Sequence, residues 1–434
     1  MNETLGSPPI DSPAAKRPPH PKLLQIMGPG LITGASDDDP SGIATYSQVG
    51  AQFGYGIGWT LIFSYPLMCA IQQISGVTGR VTGEGLAGNL RRHYPKWLMY
   101  SLVALLLVAN TINIGADIGA MAAALKLLID APTVLYIAGF AVLSVLLETF
   151  VRYARYVTVL KWLTLSLFAY VATAFVVDVP WPAMVRQLVW PHIEFTSAYV
   201  TAVVAILGTT ISPYLFFWQA EQEVEQTRED RVKPLLEAPE AGPAEIERIR
   251  LDTYLGMGFS NLIALFIVIT TAATLHAAGQ TDIQTSAQAA EALRPIAGRF
   301  AFTVFALGII GTGLLALPVL AGSAAYAMGE AFGWRVGLGN KLGRARAFYG
   351  VIALATLVGA LLNFVGLDPI KALFWSAVIN GVAAVPIMAM MVILARRADI
   401  MGRFRIGVTL TVFAWIATAA MALAAIGMFA TWGG

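Results

Sequence analysis

Eleven stretches of mainly apolar residues, separated by short polar connections, follow one another along this chain of 434 residues. They lie at 23–53, 56–74, 98–129, 132–150, 156–177, 197–220, 254–278, 300–332, 348–365, 370–395 and 404–432. A spanning helix needs roughly 20 such residues. In lipid a backbone can satisfy its own polar groups only as a helix or a closed barrel, and stretches of this length are helices. Composition agrees, with 57% of residues hydrophobic and 12% charged, about half the charge of an average soluble domain. The expectation is an all-α integral membrane protein. No connection is long enough for a soluble catalytic domain, so an enzyme is not expected.

Basic residues test the count, because Lys and Arg collect in cytoplasmic loops. With the N-terminus inside, 22 of the 28 Lys and Arg fall on cytoplasmic segments. Arg186, Arg294, Arg299 and Lys371 fall outside, and Lys126 and Lys161 lie near span ends. An odd number of spans then puts the C-terminus outside, in the cell (inner) membrane. Residues 1–22, polar and Pro-rich, form a disordered cytoplasmic tail, and 23–434 form a single transmembrane domain. The connection 221–250 opens on Glu221, Glu223 and Glu225 and is expected to be a solvated loop. Gln72 and Gln73 are expected at the inner interface. Cys69, the single cysteine, excludes a disulfide framework, and none of the four His sits where a metal cluster could form. No basic cluster marks a nucleic-acid surface. No obligate protein partner is evident, and a monomer is expected.

Of the 26 acidic residues, four fall at membrane depth: Asp37, Asp38, Asp39 and Asp117. Each ionisable group there costs about 2.5–3.5 kcal/mol on insertion scales and normally has a partner. No Lys or Arg lies deep enough to pair with them, so the partner is expected to arrive as a cation. Ser36-Asp37-Asp38-Asp39-Pro40-Ser41-Gly42 interrupts the first span. Pro40 removes an amide and disfavours helix at Asp39, and Gly42 loosens the backbone. A second break, Gly208-Thr209-Thr210-Ile211-Ser212-Pro213-Tyr214, interrupts the sixth span. Broken helices at matching places in two five-helix halves point to an inverted-repeat transporter with its site at the midplane. The repeats are expected at about 23–178 and 196–395, followed by helix 11 at about 404–432.

These residues resemble the Nramp divalent-metal transporters over nearly the whole chain. Gly28-Pro29-Gly30 with Asp39-Pro40-Ser41-Gly42 is similar to that family's GPG…DPGN, and Gly208 to Tyr214 to its GATVMPH. Val81 to Ala87, with Arg91 to Pro95, resembles the loop after its second span. The resemblance implies a LeuT-like fold of 11 transmembrane helices, an inverted 5+5 repeat with helices 1 and 6 broken, working by alternating access. It places the ion between Asp39, the carbonyl positions Ser36 and Thr209, and the positions of Gly42 and Ser212. In the family the last two are Asn and Met. Tyr214 stands at the family's His, and Asn113 and Ala116 stand where its third span carries two acids. Asp117 is one step off that register. Asp37, Asp38, Tyr214, Asp117, Asn113 and Asn380 are candidates for the pathway or for surrounding the ion. Asn380, beside Gly381, either contacts bound water or hydrogen-bonds a neighbouring helix.

The departures have a direction. Replacing the Met removes a soft ligand, and oxygen ligands suit Mg²⁺, Ca²⁺ and Mn²⁺. Gly42 is expected to enlarge the site, which fits Mg²⁺ that keeps several waters. This pattern is similar to the Nramp-related magnesium transporter branch and implies uptake of Mg²⁺, and also Mn²⁺, as transported substrate without proton coupling. No cofactor is implied. The alternative within the family is a proton-coupled Mn²⁺/Fe²⁺ transporter. A LeuT-like amino acid transporter is disfavoured by three Asp that would repel a substrate carboxylate. An intramembrane aspartyl protease lacks its YD and GxGD contexts, and a passive channel would differ by unsaturable flux.

Overall fold

The computed structural model describes residues 33–34, 36–151, 163, 165–366 and 368–431. The expected tail, the start of the first span with Gly28-Pro29-Gly30, Arg152, Arg155 and Lys161 lie outside the described residues. Every regular element among those described is helical, as a bilayer requires. Nine of these helices are long and apolar enough to cross a membrane. A tenth span arises if Leu165–Val176 and Trp181–Val189, bent by 114°, are taken together.

The expected eleven and this count differ mainly at the first span. Pro40–Thr82 passes as one apolar helix by length, yet α1 (Pro40–Phe53) and α2 (Trp59–Thr82) run in opposite directions. Near the end of α1, the Ala51 carbonyl lies 2.8 Å from Nδ1 of His276. At the start of α2, Trp59 donates to the Tyr199 hydroxyl at the same end of the molecule. The far end of α2 brings Arg80 to Glu245 at the opposite pole. Gly54, at φ 63°, begins the reversal with a conformation that L side chains rarely adopt.

The short α3 (Leu86–His93) leads into α4 (Lys96–Lys126) and α5 (Thr133–Phe150). The expected fifth span survives among the described residues as α6 (Phe168–Val176), followed by the unexpected α7 (Trp181–Val189). α8 (Ser197–Thr210) and α9 (Pro213–Glu229) are the two halves of the sixth. Then come α10 (Gly242–Thr271), α11 (Ala301–Phe332), α12 (Arg346–Leu362), α13 (Pro369–Arg396) and α14 (Val408–Ala430).

Between helices in lipid the hydrophobic effect gives little drive, so small residues that let backbones meet become decisive. Gly115 on α4 faces Gly359 on α12, and a methyl group on Gly115 would sit 2.5 Å from the Gly359 carbonyl oxygen. Asn363 donates to the Gly115 carbonyl at 2.9 Å beside that contact. The outer faces are apolar: Leu135, Phe150, Leu354 and Leu423 are 61%, 72%, 61% and 69% exposed. An apolar belt of this kind would drive aggregation in water and is at home in lipid.

The basic connections meet at one pole. Leu235 donates its amide to the Arg80 carbonyl, Gly85 donates to Glu330, and Arg397 reaches the His93 carbonyl. These contacts bring Arg80, Arg91 and Arg397 to one end of the molecule. The segment that opens 221–250 is not a solvated loop. α9 stays helical through Glu229, and Glu221 and Glu223 are buried. Glu223 is paired with Arg248 at 2.5 Å, while Glu245 bonds both Arg80 and Arg248. A charged run looks solvated when hydropathy alone is considered; here a neighbouring helix supplies the counter-charge.

Candidate metal centre

Asp39 stands at the first break in extended conformation, φ −70° and ψ 170°, and caps the N-terminus of α1 with Pro40 in its first turn. A carboxylate is a strong acceptor for orphan helix amides. Its Oδ1 accepts from the Gly42 amide at 2.7 Å and from the Ser41 hydroxyl at 2.6 Å. Its Oδ2 accepts from Asn113 Nδ2 at 3.1 Å and from the Tyr214 hydroxyl at 3.2 Å. One carboxyl group, 1% exposed, therefore joins α1, α4 and α9.

The second break is built by Ile211 and Ser212, both outside helical geometry, with Pro213 opening α9. The Ser212 hydroxyl lies 2.7 Å from the Gly208 carbonyl oxygen and 2.8 Å from that of Thr209. It thus covers carbonyls that a helix break would otherwise leave free. Thr209 bonds Tyr46 of α1 through its side chain at 2.9 Å. The two breaks are consequently tied twice, through Tyr214 to Asp39 and through Thr209 to Tyr46. Gly208 has a steric reason: a methyl there would overlap the Ala377 carbonyl oxygen and lie 2.6 Å from the Gly381 amide. This close approach of α8 to α13 sets Asn380, buried with its Oδ1 unpartnered, beside the second break.

The three consecutive Asp do not converge. The Ser260 hydroxyl of α10 lies 2.6 Å from Asp37 Oδ2 and 3.1 Å from Asp38 Oδ1. Asp37 Oδ1 has no partner. Ser36 is buried just before the break. Gly42 leaves less space than expected: a Cβ there would already lie 3.3 Å from the Asp37 carbonyl oxygen and from the Tyr46 ring. Asp117 is fully buried and neither carboxyl oxygen has a partner. Asn113, Asp117 and Met121 recur every four residues and share one face of α4. Asn113 bonds Asp39, and Met121 packs with Pro40 around Gly313. Asp117 therefore faces the first break, one turn beyond Asn113.

The sequence reading missed several participants. Gln72 and Gln73 are buried against neighbouring helices. Gln72 donates to the Leu215 carbonyl at 2.9 Å, and Gln219 accepts from Thr33 at 2.7 Å. These groups form a polar seam from Tyr214 toward the basic pole. Amide side chains inside an apolar helix were the available signal. A further buried acid, Glu148 near the end of α5, accepts from Ser144 on one oxygen and has no partner on the other. Among the described residues no group of three or more His, Cys, Asp and Glu gathers as a metal cluster. The groups around the breaks are carboxylate, hydroxyl, amide and carbonyl, suited to a hard cation held with some of its water.

A family model described as "Natural resistance-associated macrophage protein-like" matches residues 30–431. The divalent metal cation transporter MntH of Klebsiella pneumoniae is 25% identical over 392 residues, covering 87% of each chain. That of Yersinia enterocolitica is 26% identical over 304 residues, covering 67% of this chain and 69% of its own. A crystal structure of a manganese transporter from Eremococcus coleocola, in a mutant form, superposes with a TM-score of 0.72. It is 18% identical and covers 98% of this chain and 91% of its own. Mhp1, a nucleobase-cation-symport-1 family transporter in a closed conformation, superposes with a TM-score of 0.59. It is 14% identical and covers 93% of this chain and 92% of its own. The fold is LeuT-like.

Proposed function

This chain belongs to the Nramp family, and we propose that it carries Mg²⁺, and Mn²⁺ with it, across the inner membrane by alternating access and without coupled protons. Relatives bearing the name of divalent metal cation transporters support the cation class. The observation that carries the finer reading is the company kept by Asp39, which meets Asn113 and Tyr214 in place of an acid and a histidine. Neither replacement exchanges a proton readily near neutral pH. Asp39, Ser36, Thr209 and Ser212 supply oxygens, with Gly42 at the turn. Asp37, Asp38, Asp117, Asn113, Tyr214 and Asn380 surround the path. The basic pole is the cytoplasmic one on the positive-inside rule, with the N-terminus inside, the C-terminus outside, and the working unit a monomer of one domain, 23–434. The membrane potential drives entry, since two charges across 100 mV are worth about 4.6 kcal/mol.

Proteoliposomes test each part. Mn²⁺ uptake falls in proportion to added Mg²⁺ and much less to Ca²⁺, and a pH dye trapped inside stays steady while Mg²⁺ enters. Lumenal acidification in step with uptake would replace this reading by proton-coupled Mn²⁺ transport. The unpartnered Asp117 favours that second reading, because it is an acid beside the path.

A further inference from the structure

At the basic pole two carboxyl groups meet, and among the described residues no basic side chain forms an ion pair with either. Glu330, at the end of α11, accepts the Gly85 amide on Oε1 at 2.8 Å and the Gly88 amide on Oε2 at 2.7 Å. It is partly exposed and held as an acceptor at the start of α3. Glu221 of α9 is 1% exposed; its carboxyl oxygens accept from no N–H or hydroxyl donor and face the Glu330 carboxyl within hydrogen-bonding reach. Both groups converge on Gly85, where a methyl would overlap Glu221 Oε1 and lie 2.6 Å from Glu330 Oε2.

The charges nearby are otherwise engaged. Glu84 pairs with Arg92, Arg91 donates to the Glu330 main-chain carbonyl, and Glu225 takes the Tyr326 hydroxyl at 2.5 Å. Arg228 is exposed. Among the described residues no Lys, Arg or His forms an ion pair with Glu221 or Glu330. Two carboxyls that meet without a base, one of them buried, are stabilised by a positive partner. Tyr214, which bonds Asp39, and Glu221 are seven residues apart on one face of α9, about 10 Å along its axis.

We infer that Glu221 and Glu330 form a second divalent-cation site at the cytoplasmic mouth, where the ion pauses on its way out from Asp39. This rests on the divalent-cation reading above. Two hard carboxylates at a partly wet position suit Mg²⁺ or Mn²⁺. The absent side chain at Gly85 leaves both groups open to the ion.

The test is an electron paramagnetic resonance titration of the purified full-length protein with Mn²⁺, each variant first shown to be monodisperse. Two sites are expected in the wild type. Asp39→Asn is expected to retain one, which Glu221→Gln on that background weakens at least tenfold. Glu330→Gln serves the same purpose if Glu221→Gln does not fold. Two sites of unchanged affinity in Glu221→Gln overturn the inference. So does a single wild-type site abolished by Asp39→Asn, which leaves the transport reading standing and a shared proton as the partner of the pair. A wild type that binds no Mn²⁺ removes both readings together.

Discussion

Tyr214, the second residue of α9, donates its hydroxyl to Asp39 Oδ2 across 3.2 Å and so joins the break in one half of the protein to the break in the other. A cation seated at Asp39 must share or displace that donor. Binding at the first break is thereby felt directly at the second. Coupling of this kind suits alternating access, in which one set of helices rocks about a fixed site.

Asp39→Asn keeps the shape of the carboxyl group and removes its charge. Mg²⁺ uptake into liposomes is expected to fall to the protein-free rate. Uptake at the wild-type rate would move the site away from the first break.

Tyr214→Phe removes one donor from Asp39 and keeps the ring packed. Losing a group that orients a metal ligand typically lowers affinity about 10–100-fold. Calorimetric titration with Mn²⁺ should show a loss in that range while the apparent unfolding midpoint stays near the wild type. An unchanged dissociation constant would mean that Tyr214 does not hold Asp39 in the bound state.

Ser212→Met places a thioether where a hydroxyl now covers the Gly208 and Thr209 carbonyls. Soft ligands favour softer cations, so Cd²⁺ is expected to compete better against Mg²⁺ uptake in this variant. If the inhibition constant of Cd²⁺ does not fall relative to wild type, Ser212 does not face the ion.

Gly208→Ala puts a methyl against the Ala377 carbonyl oxygen, forcing α8 and α13 apart. Overpacking of this kind costs about 1–3 kcal/mol. A lowered unfolding midpoint is expected, against no change in Gly343→Ala, where nothing lies within 4 Å of the added group.

Arg248→Ala leaves Glu223 buried and unpaired. Breaking a buried pair costs about 3–5 kcal/mol, less here because Arg248 is 22% exposed. The unfolding midpoint should drop, and adding Glu223→Gln should recover part of the loss. No recovery in the double variant would show that Arg248 acts through Glu245 instead.

How much of this was legible before folding follows from the range of each signal. A bilayer imposes its thickness on every span, so apolar length reveals spans from local sequence alone. Pro40 and Pro213 interrupt helices through their own backbone chemistry, and both breaks stand where the sequence places them, with Gly42 in the first turn of α1. An acid next to a break in a span without basic residues is likewise visible along the chain.

Which side chains answer that acid depends on which helix faces meet, and facing is settled by contacts between residues far apart in sequence. Asn113 reaches Asp39 from 74 residues away and Tyr214 from 175. Close approach at Gly208 and Gly381 decides where Asn380 lies. Arg248 on α10 turns Glu223 from an expected surface charge into a buried one, while Glu221, two residues earlier on α9, is buried without any such partner. The sequence by itself determined a many-helix membrane protein with a carboxylate at a broken helix, because length and backbone chemistry act locally. Only the tertiary structure decided the ring of donors on Asp39 and the second pair of carboxyls at the basic pole, because those arise from packing.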